Sequence, residues 1–554
     1  MTSYRWRLFP LLLAFLVTTS HAAPSSPPAQ PRPDSTTLGV VWTPPSSHTD
    51  ALHQLDQIAQ IGAMAVRLTR PPTAPIAARA DSLGLELFVD LPIDYVSGPQ
   101  LQDAWAQIAP ALKHLRSLAQ DHSAITHVGL GPTVDTTVPA ACETLRRWTE
   151  HVYSWDAPLR TYYLTPFRAS TSHCAEAVDR VLLDLRGHPT PVKRWRRWHA
   201  QADPVDIGAL GQWVDPNAKS GLRVPHSPEH QARYLERTLG RLLDSTETAP
   251  EAVFVARWQD QSSPALPSRR YGLHAENGPP RPAAGVVQGI YTGRQRVFAF
   301  PAGPPDNPGP YRLVLLGWGL LLLLGSLYAR SPFLRETVAR YFVAPGFYRD
   351  SLRDGRDLSP GAHGLLLAIV AGILGTTGAC AARLAATASA TEHVLTALPQ
   401  GLRFLLAGGL EHPLTAGLLI GGIVLGLLLV WILSLVLTAR GWTRFSVSQG
   451  LALVVWPCWP ALLVLPLALT AGPDAPIRPA LFGLLLLGGS PLLLVYVTSR
   501  VLFDYWTVTD LPAWTLFPLT LLSPLALTTA IGLVYTLRHD LSLRFLWHLA
   551  TLTS

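Results

Sequence analysis

Trp42, Arg67, Asp90, Asp184, Arg186, Arg257, Trp258 and Asp260 all fall at or just beyond the end of a short apolar run, where a strand hands a side chain to a site. Their types suit one kind of ligand. Indole faces pack on the apolar side of a pyranose, and arginine and aspartate bond hydroxyls or the acid group of a uronic acid. These eight are the candidate ligand-binding residues. Two have a structural reading as well: Arg67 bracing the interior through an ion pair with Asp90 or another carboxylate, and Trp258 belonging to the core. No CxxC pair and no His/Cys cluster with zinc spacing occurs, so neither a metal nor a cofactor is expected. Cys142 and Cys174 form a possible disulfide in an oxidising compartment, whereas Cys380 and Cys458 lie in apolar stretches as small hydrophobes.

The elements that must position these residues follow from periodicity. Apolar runs at 38–42, 64–69, 85–90, 125–130, 160–164, 181–185, 205–210 and 252–257 alternate with amphipathic stretches, plainest at 53–61, 101–118 and 228–243. Strands alternating with helices argue for a parallel sheet covered on both faces. Eight such units in about 250 residues have the size of a (β/α)8 barrel. An open doubly wound sheet is the alternative, and no GxGxxG follows the first strand to favour it.

The chain has 554 residues, 48% hydrophobic and 15% charged, an average over two unlike halves. Long apolar runs are confined to the extreme N-terminus and to the part after about residue 311. Arg5 and Arg7, an apolar stretch and Ser20-His21-Ala22-Ala23 read as a secretory signal over 1–22, with a retained anchor helix as the alternative. A Pro/Ser-rich linker spans 23–37 and a second, Pro-rich one spans 301–311. Six spans are expected, at 312–329, 363–382, 414–438, 447–470, 478–500 and 514–536, each near the length a bilayer requires. Arg330, Arg335, Arg340, Arg349, Arg353 and Arg356 mark 330–361 as a cytoplasmic basic loop, against only Arg383 and Arg403 in the next one. The expectation is therefore a multi-pass protein of the cytoplasmic (inner) membrane, with residues 24–310 extracytoplasmic, a first span at 312–329, five helices within 362–540 and a tail at 541–554. The spans hold almost no ionisable residues, which argues against transport. Gly421-Gly422 and Gly488-Gly489 are suited to close helix packing.

Several motifs in the first half, in order, resemble family 2 glycoside hydrolases of the β-galactosidase and β-glucuronidase type. Gly62-Ala63-Met64-Ala65-Val66-Arg67 before Pro71-Pro72 is similar to the second-strand motif, and the run 80–90 to the third unit. Glu229, Gln231, Ala232, Tyr234 and Leu235 match the seventh helix. Phe254, Trp258, Asp260 and Gln261 match the eighth strand, and Tyr271-Gly272-Leu273 with Asn277 and Arg281-Pro282 the closing segment. The resemblance covers roughly 38–290 and implies a fold class of α/β, a (β/α)8 TIM barrel exported domain over 38–300, followed by an all-α transmembrane helical bundle.

It also implies where catalysis should be. Retaining glycosidases of this kind use one carboxyl group as acid/base and a second as nucleophile. The acid/base position reads Thr133 and the nucleophile position Ala209, neither able to do the work. No catalytic residue is assigned, and these two are the degenerate positions of a pseudoenzyme. Asp135 and Asp206 are the acids near enough in sequence to rescue the site. Three readings stay open: a membrane-anchored barrel that binds glycan or an envelope protein partner, a membrane-tethered glycoside hydrolase, and a component that moves a saccharide or lipid-linked glycan. The run Lys193-Arg194-Trp195-Arg196-Arg197-Trp198-His199 reads as an outer barrel helix with a solvated basic face or as a surface for anionic lipid. Part of the formal net charge of +7 comes from the cytoplasmic arginines, and nucleic acid is not an expected partner.

Overall fold

The computed structural model describes residues 36–552 apart from 94–95, 132–133, 156, 173, 203, 245–248, 262–269, 277, 305–311, 357, 389, 440–444 and 471–478. The expected signal segment, almost all of the first linker, much of the second, Thr133 and Asn277 lie outside the described residues.

Eight parallel strands close on themselves in chain order: β1 (Thr37–Trp42), β2 (Ala65–Leu68), β3 (Glu86–Asp90), β4 (Ile125–Gly129), β5 (Arg160–Thr165), β6 (Arg180–Asp184), β7 (Val205–Leu210) and β8 (Ala252–Val255), which pairs with β1. Between and after them run α1 (His48–Gln60), α2 (Ala74–Leu83), α3 (Gly98–Asp103), α4 (Trp105–Asp121), α5 (Pro139–Tyr153), α6 (Pro191–His199), α7 (Pro228–Leu243) and α8 (Pro282–Tyr291). Alternation along each strand sorts side chains into two layers. Leu38, Val40 and Trp42 of β1 point outward to the helices, while Val41 joins Ala65, Phe88, Tyr162, Leu182 and Phe254 inside. Gly39 lets this interior close, since a Cβ there would lie 2.5 Å from the Phe254 ring. Cys142 of α5 and Cys174 are joined by a disulfide.

Every regular element described after the barrel is helical: α9 (Arg312–Arg330), α10 (Pro332–Val343), α11 (Pro345–Asp354), α12 (Pro360–Thr387), α13 (Ala390–Thr396), α14 (Gln400–Glu411), α15 (Pro413–Ala439), α16 (Val447–Val455), α17 (Ala461–Leu469), α18 (Pro479–Thr509), α19 (Leu516–Leu521), α20 (Pro524–Arg538) and α21 (Leu543–Ala550). Among the described residues α9, α12 and α15 are each long and apolar enough to cross a membrane. Two bent pairs, Val447–Cys458 with Ala461–Leu469 and Ala513–Leu521 with Pro524–Arg538, raise the number to five if each is one span. Of the six expected spans, 478–500 falls in α18, which follows residues outside the description. Packing of α12 on α15 depends on small residues: a Cβ on Gly375 would stand 2.5 Å from the Gly417 carbonyl, and one on Gly417 2.8 Å from that of Gly375. Gly421 also faces α12 closely, whereas Gly422, Gly488 and Gly489 face open space.

The expected basic loop is in fact the helices α10 and α11, and α11 is docked. Arg349 Nε donates to Asp504 of α18 at 2.8 Å, and Gln449 Nε2 to the Leu352 carbonyl at 2.6 Å. Ending the span at residue 500 leaves out the buried Asp504, which also pairs with Arg500 at 2.9 Å.

Candidate functional site

The barrel mouth does not open freely to solvent. Strand ends on one side and parts of α13, α14 and the segment before α21 on the other line a half-open cavity of about 970 Å³. Its barrel wall includes Val41, Arg67, Asp90, Ala209, Ala256 and Arg257, and its far wall Glu392, Thr396, Arg403, His539 and Leu541.

Arg67 points inward because it shares register with Val41 and Phe88 of the neighbouring strands. Its Nε and Nη2 donate to the two oxygens of Asp90 at 3.2 and 2.7 Å, and its Nη1 donates to the Gly208 carbonyl at 2.9 Å. Tyr162 Oη adds a bond to Asp90 Oδ1 at 2.7 Å. Gly129 makes room, as a Cβ there would lie 2.8 Å from Asp90 Oδ1. The structural reading of Arg67 is thus correct, and both oxygens of Asp90 are occupied. Burial works against the Arg67 charge, but Asp90 outweighs it and raises the guanidinium above its ordinary value. Burial, with Asp90 beside it, also drives the Tyr162 hydroxyl well above the usual tyrosine range.

Asp184 is the second buried acid of this end. Arg186 clasps it, with Nε 2.9 Å from Oδ1 and Nη2 2.7 Å from Oδ2. Burial alone would raise this carboxyl, yet Arg186, with help from His393 of α13, holds it well below the usual carboxylate range. An acid held ionised in this way cannot deliver a proton near neutral pH. Arg186 Nη1 then reaches across to Glu392 Oε1 at 3.3 Å, and its guanidinium lies 5.7 Å from the Tyr271 ring centre.

Arg257 follows β8 with a φ of 97°, in the region that favours glycine. Its guanidinium lines the cavity, half-buried, and makes no hydrogen bond or ion pair among the described residues. Burial, then the neighbouring charge of Arg186, lowers it from the ordinary arginine value. A strained backbone holding, at a strand end, a cation with no hydrogen bond to the described residues is an arrangement found at functional sites.

Four of the eight candidates, Arg67, Asp90, Arg186 and Arg257, therefore meet at the cavity. The other four do not line it. Trp42 faces outward and donates to Gln54 of α1 at 2.8 Å. Trp258 is core, its ring 4.3 Å from that of His274. Asp260 takes the Gly272 amide at 2.7 Å and the Arg281 guanidinium, fixing the closing segment. Asp184 acts through Arg186.

Of the degenerate positions, Ala209 stands in the cavity wall and Thr133 lies outside the described residues. Neither rescue acid fills the gap. Asp206 sits at the start of β7, at the far end of the barrel, bonded to Arg180 at 2.7 Å and to the Ala252 amide at 2.8 Å. Asp135 accepts from Thr137 Oγ1 at 2.5 Å and is fully covered. In α6, Trp195 and Trp198 are buried, their indoles bonded to the Val205 and Phe167 carbonyls, which makes it an outer barrel helix. Arg194 on it donates to the Leu552 carbonyl at 3.2 Å. No group of three or more potential metal ligands occurs among the described residues.

Glu392, Arg403 and His539 are beyond the reach of any reading of the barrel, because they come from after the first expected span. For Glu392 and Arg403 the available signal is their place in the loop between the second and third spans, whereas His539 follows the sixth span.

No family model matches the chain, and no curated protein matches it. Solved structures do match in part. A GH2 beta-galacturonidase from Eisenbergiella tayi, bound to galacturonate, is 16% identical over 47% of this chain and 51% of its own, with a TM-score of 0.42. A beta-glucuronidase from an uncultured Clostridium gives 13%, 46%, 50% and 0.41, and the beta-D-glucuronidase of Dictyoglomus thermophilum 15%, 47%, 51% and 0.40. The chain spans about half the length of these structures, and at such values the likeness is one of fold alone.

Proposed function

We propose that this protein is a membrane-anchored, non-hydrolytic binding protein whose barrel mouth takes a saccharide or an envelope protein carrying acidic groups. One observation carries the reading. Both buried carboxylates of the mouth, Asp90 and Asp184, are bonded through both oxygens to arginine, while the place where the resemblance expects a nucleophile holds Ala209. An acid and a nucleophile free to face each other are what acetal cleavage needs. The helices apolar enough to span a membrane support the anchoring, and the arginines between residues 330 and 356 are the support for a cytoplasmic membrane with the barrel outside. The tethered-hydrolase reading has two carboxylates in its favour, Asp103 and Glu392 in the cavity wall.

The test uses the full chain in detergent, because α13 and α14 complete the cavity. Retention of acidic glycans on an array, together with no release of nitrophenol from a panel of nitrophenyl glycosides and uronides, is the expected result. Hydrolysis abolished by Glu392→Gln would replace this reading with the hydrolase.

A further inference from the structure

Resting on the mouth being a binding site, a second question is where its ligand comes from. The far wall of the cavity is continuous with the apolar helices: α12 leads into α13 and α14, and α14 into α15. On α14, Arg403 faces the cavity, while Leu405, two residues along and so on the opposite side of the helix, is 64% exposed. The C-terminal α21 is two-faced in the same way. Phe545 and Leu549 are buried against Phe167 of the barrel, whereas Leu543 and Trp547, on the other side, are 67% and 49% exposed. Exposed leucine and tryptophan on short helices adjoining apolar spans fit the head-group boundary of a bilayer. The barrel is tied to this layer by Arg186 to Glu392, Gln100 to the Asp540 carbonyl and Thr137 to His548. The mouth thus faces the helices that would sit in the membrane surface, and inside it the Arg257 guanidinium has no hydrogen-bond acceptor among the described residues.

We propose that the cavity takes the anionic head group of a lipid-anchored molecule from the same membrane, with Arg257 and Arg186 as its anion-binding residues and α14 and α21 holding the mouth at the bilayer surface.

The experiment places the full chain in phosphatidylcholine nanodiscs carrying a little phosphatidylglycerol with a diazirine in its head group, and maps photo-crosslinks by mass spectrometry. Crosslinks at 392–403 and around Arg257 are expected. They fall about tenfold in Arg257→Gly, the loss of one charge-assisted contact. Glycine is at home at that φ, so this variant melts no lower than the parent and the loss is not one of folding. Crosslinks confined to the spans, or unchanged in Arg257→Gly, overturn the inference. A separate arm asks whether free inorganic phosphate or glucuronate protects Arg257 from phenylglyoxal. Protection without cavity crosslinks leaves the binding reading standing and removes only the lipid source.

Discussion

At the level of single residues, the barrel interior is an electrostatic assembly in which buried charges hold one another in place. Removing one partner from a buried pair strands the other, at about 3–5 kcal/mol. Asp90→Asn, which leaves Arg67 in place, should lower the stability of the barrel by that order. The exposed Arg79–Asp56 pair is screened by water, and Asp56→Asn should leave stability almost unchanged. Hydrogen exchange of the strand amides measures both. His127 sets a pH dependence. Its ring stacks on Phe88 at 3.8 Å, its Nε2 is buried without a hydrogen-bond partner among the described residues, and burial, with Arg180 and Arg160, lowers it from 6.5 to about 3. The fold accommodates only the neutral ring, so its stability is complete above the ordinary histidine range and is lost as pH falls from 6.5 toward 3. Between about pH 7 and pH 5 the loss should approach roughly 2 kcal/mol, and His127→Phe should flatten that slope. What sequence says at this scale depends on phase. Arg67 and Asp90 are legible because they end strands on the inward face. Trp42 belongs to the other face, and the same alternation, with Leu38 and Val40 outward, already sends it to the helices.

At the level of elements, the strands are legible from their period and length, since each of the eight apolar runs coincides with a strand to within about two residues. The docked helices α10 and α11 are not. Arginines there read as a loop, and what orders the segment is long-range: Arg349 bonds a carboxylate 155 residues away. The Cys142–Cys174 bridge stands between these cases, because spacing permits it but only the barrel brings the two residues together. Helix packing is open to a direct test. Gly417→Leu should force α12 and α15 apart at about 1–3 kcal/mol, while Gly422→Ala, facing open space, should leave the detergent melting curve unchanged.

At the level of the whole molecule, barrel and helices share a site that neither half would reveal by itself. In the proposed membrane-anchored arrangement, contacts from the barrel to Glu392 and to Leu552 put the α13–α14 segment and the C-terminus on the barrel's side of the bilayer. Alkaline phosphatase fused after Asp354 should therefore be inactive in the cell, and active when fused after Leu552. Binding without hydrolysis in the mouth is the proposal on which the rest depends. Calorimetric titration of the full chain with an acidic oligosaccharide, followed by a count of reducing ends in the same cell, tests it most directly. Saturable heat, lost in Arg257→Gly and accompanied by no new reducing ends, is the result expected; new reducing ends that disappear in Glu392→Gln would contradict it.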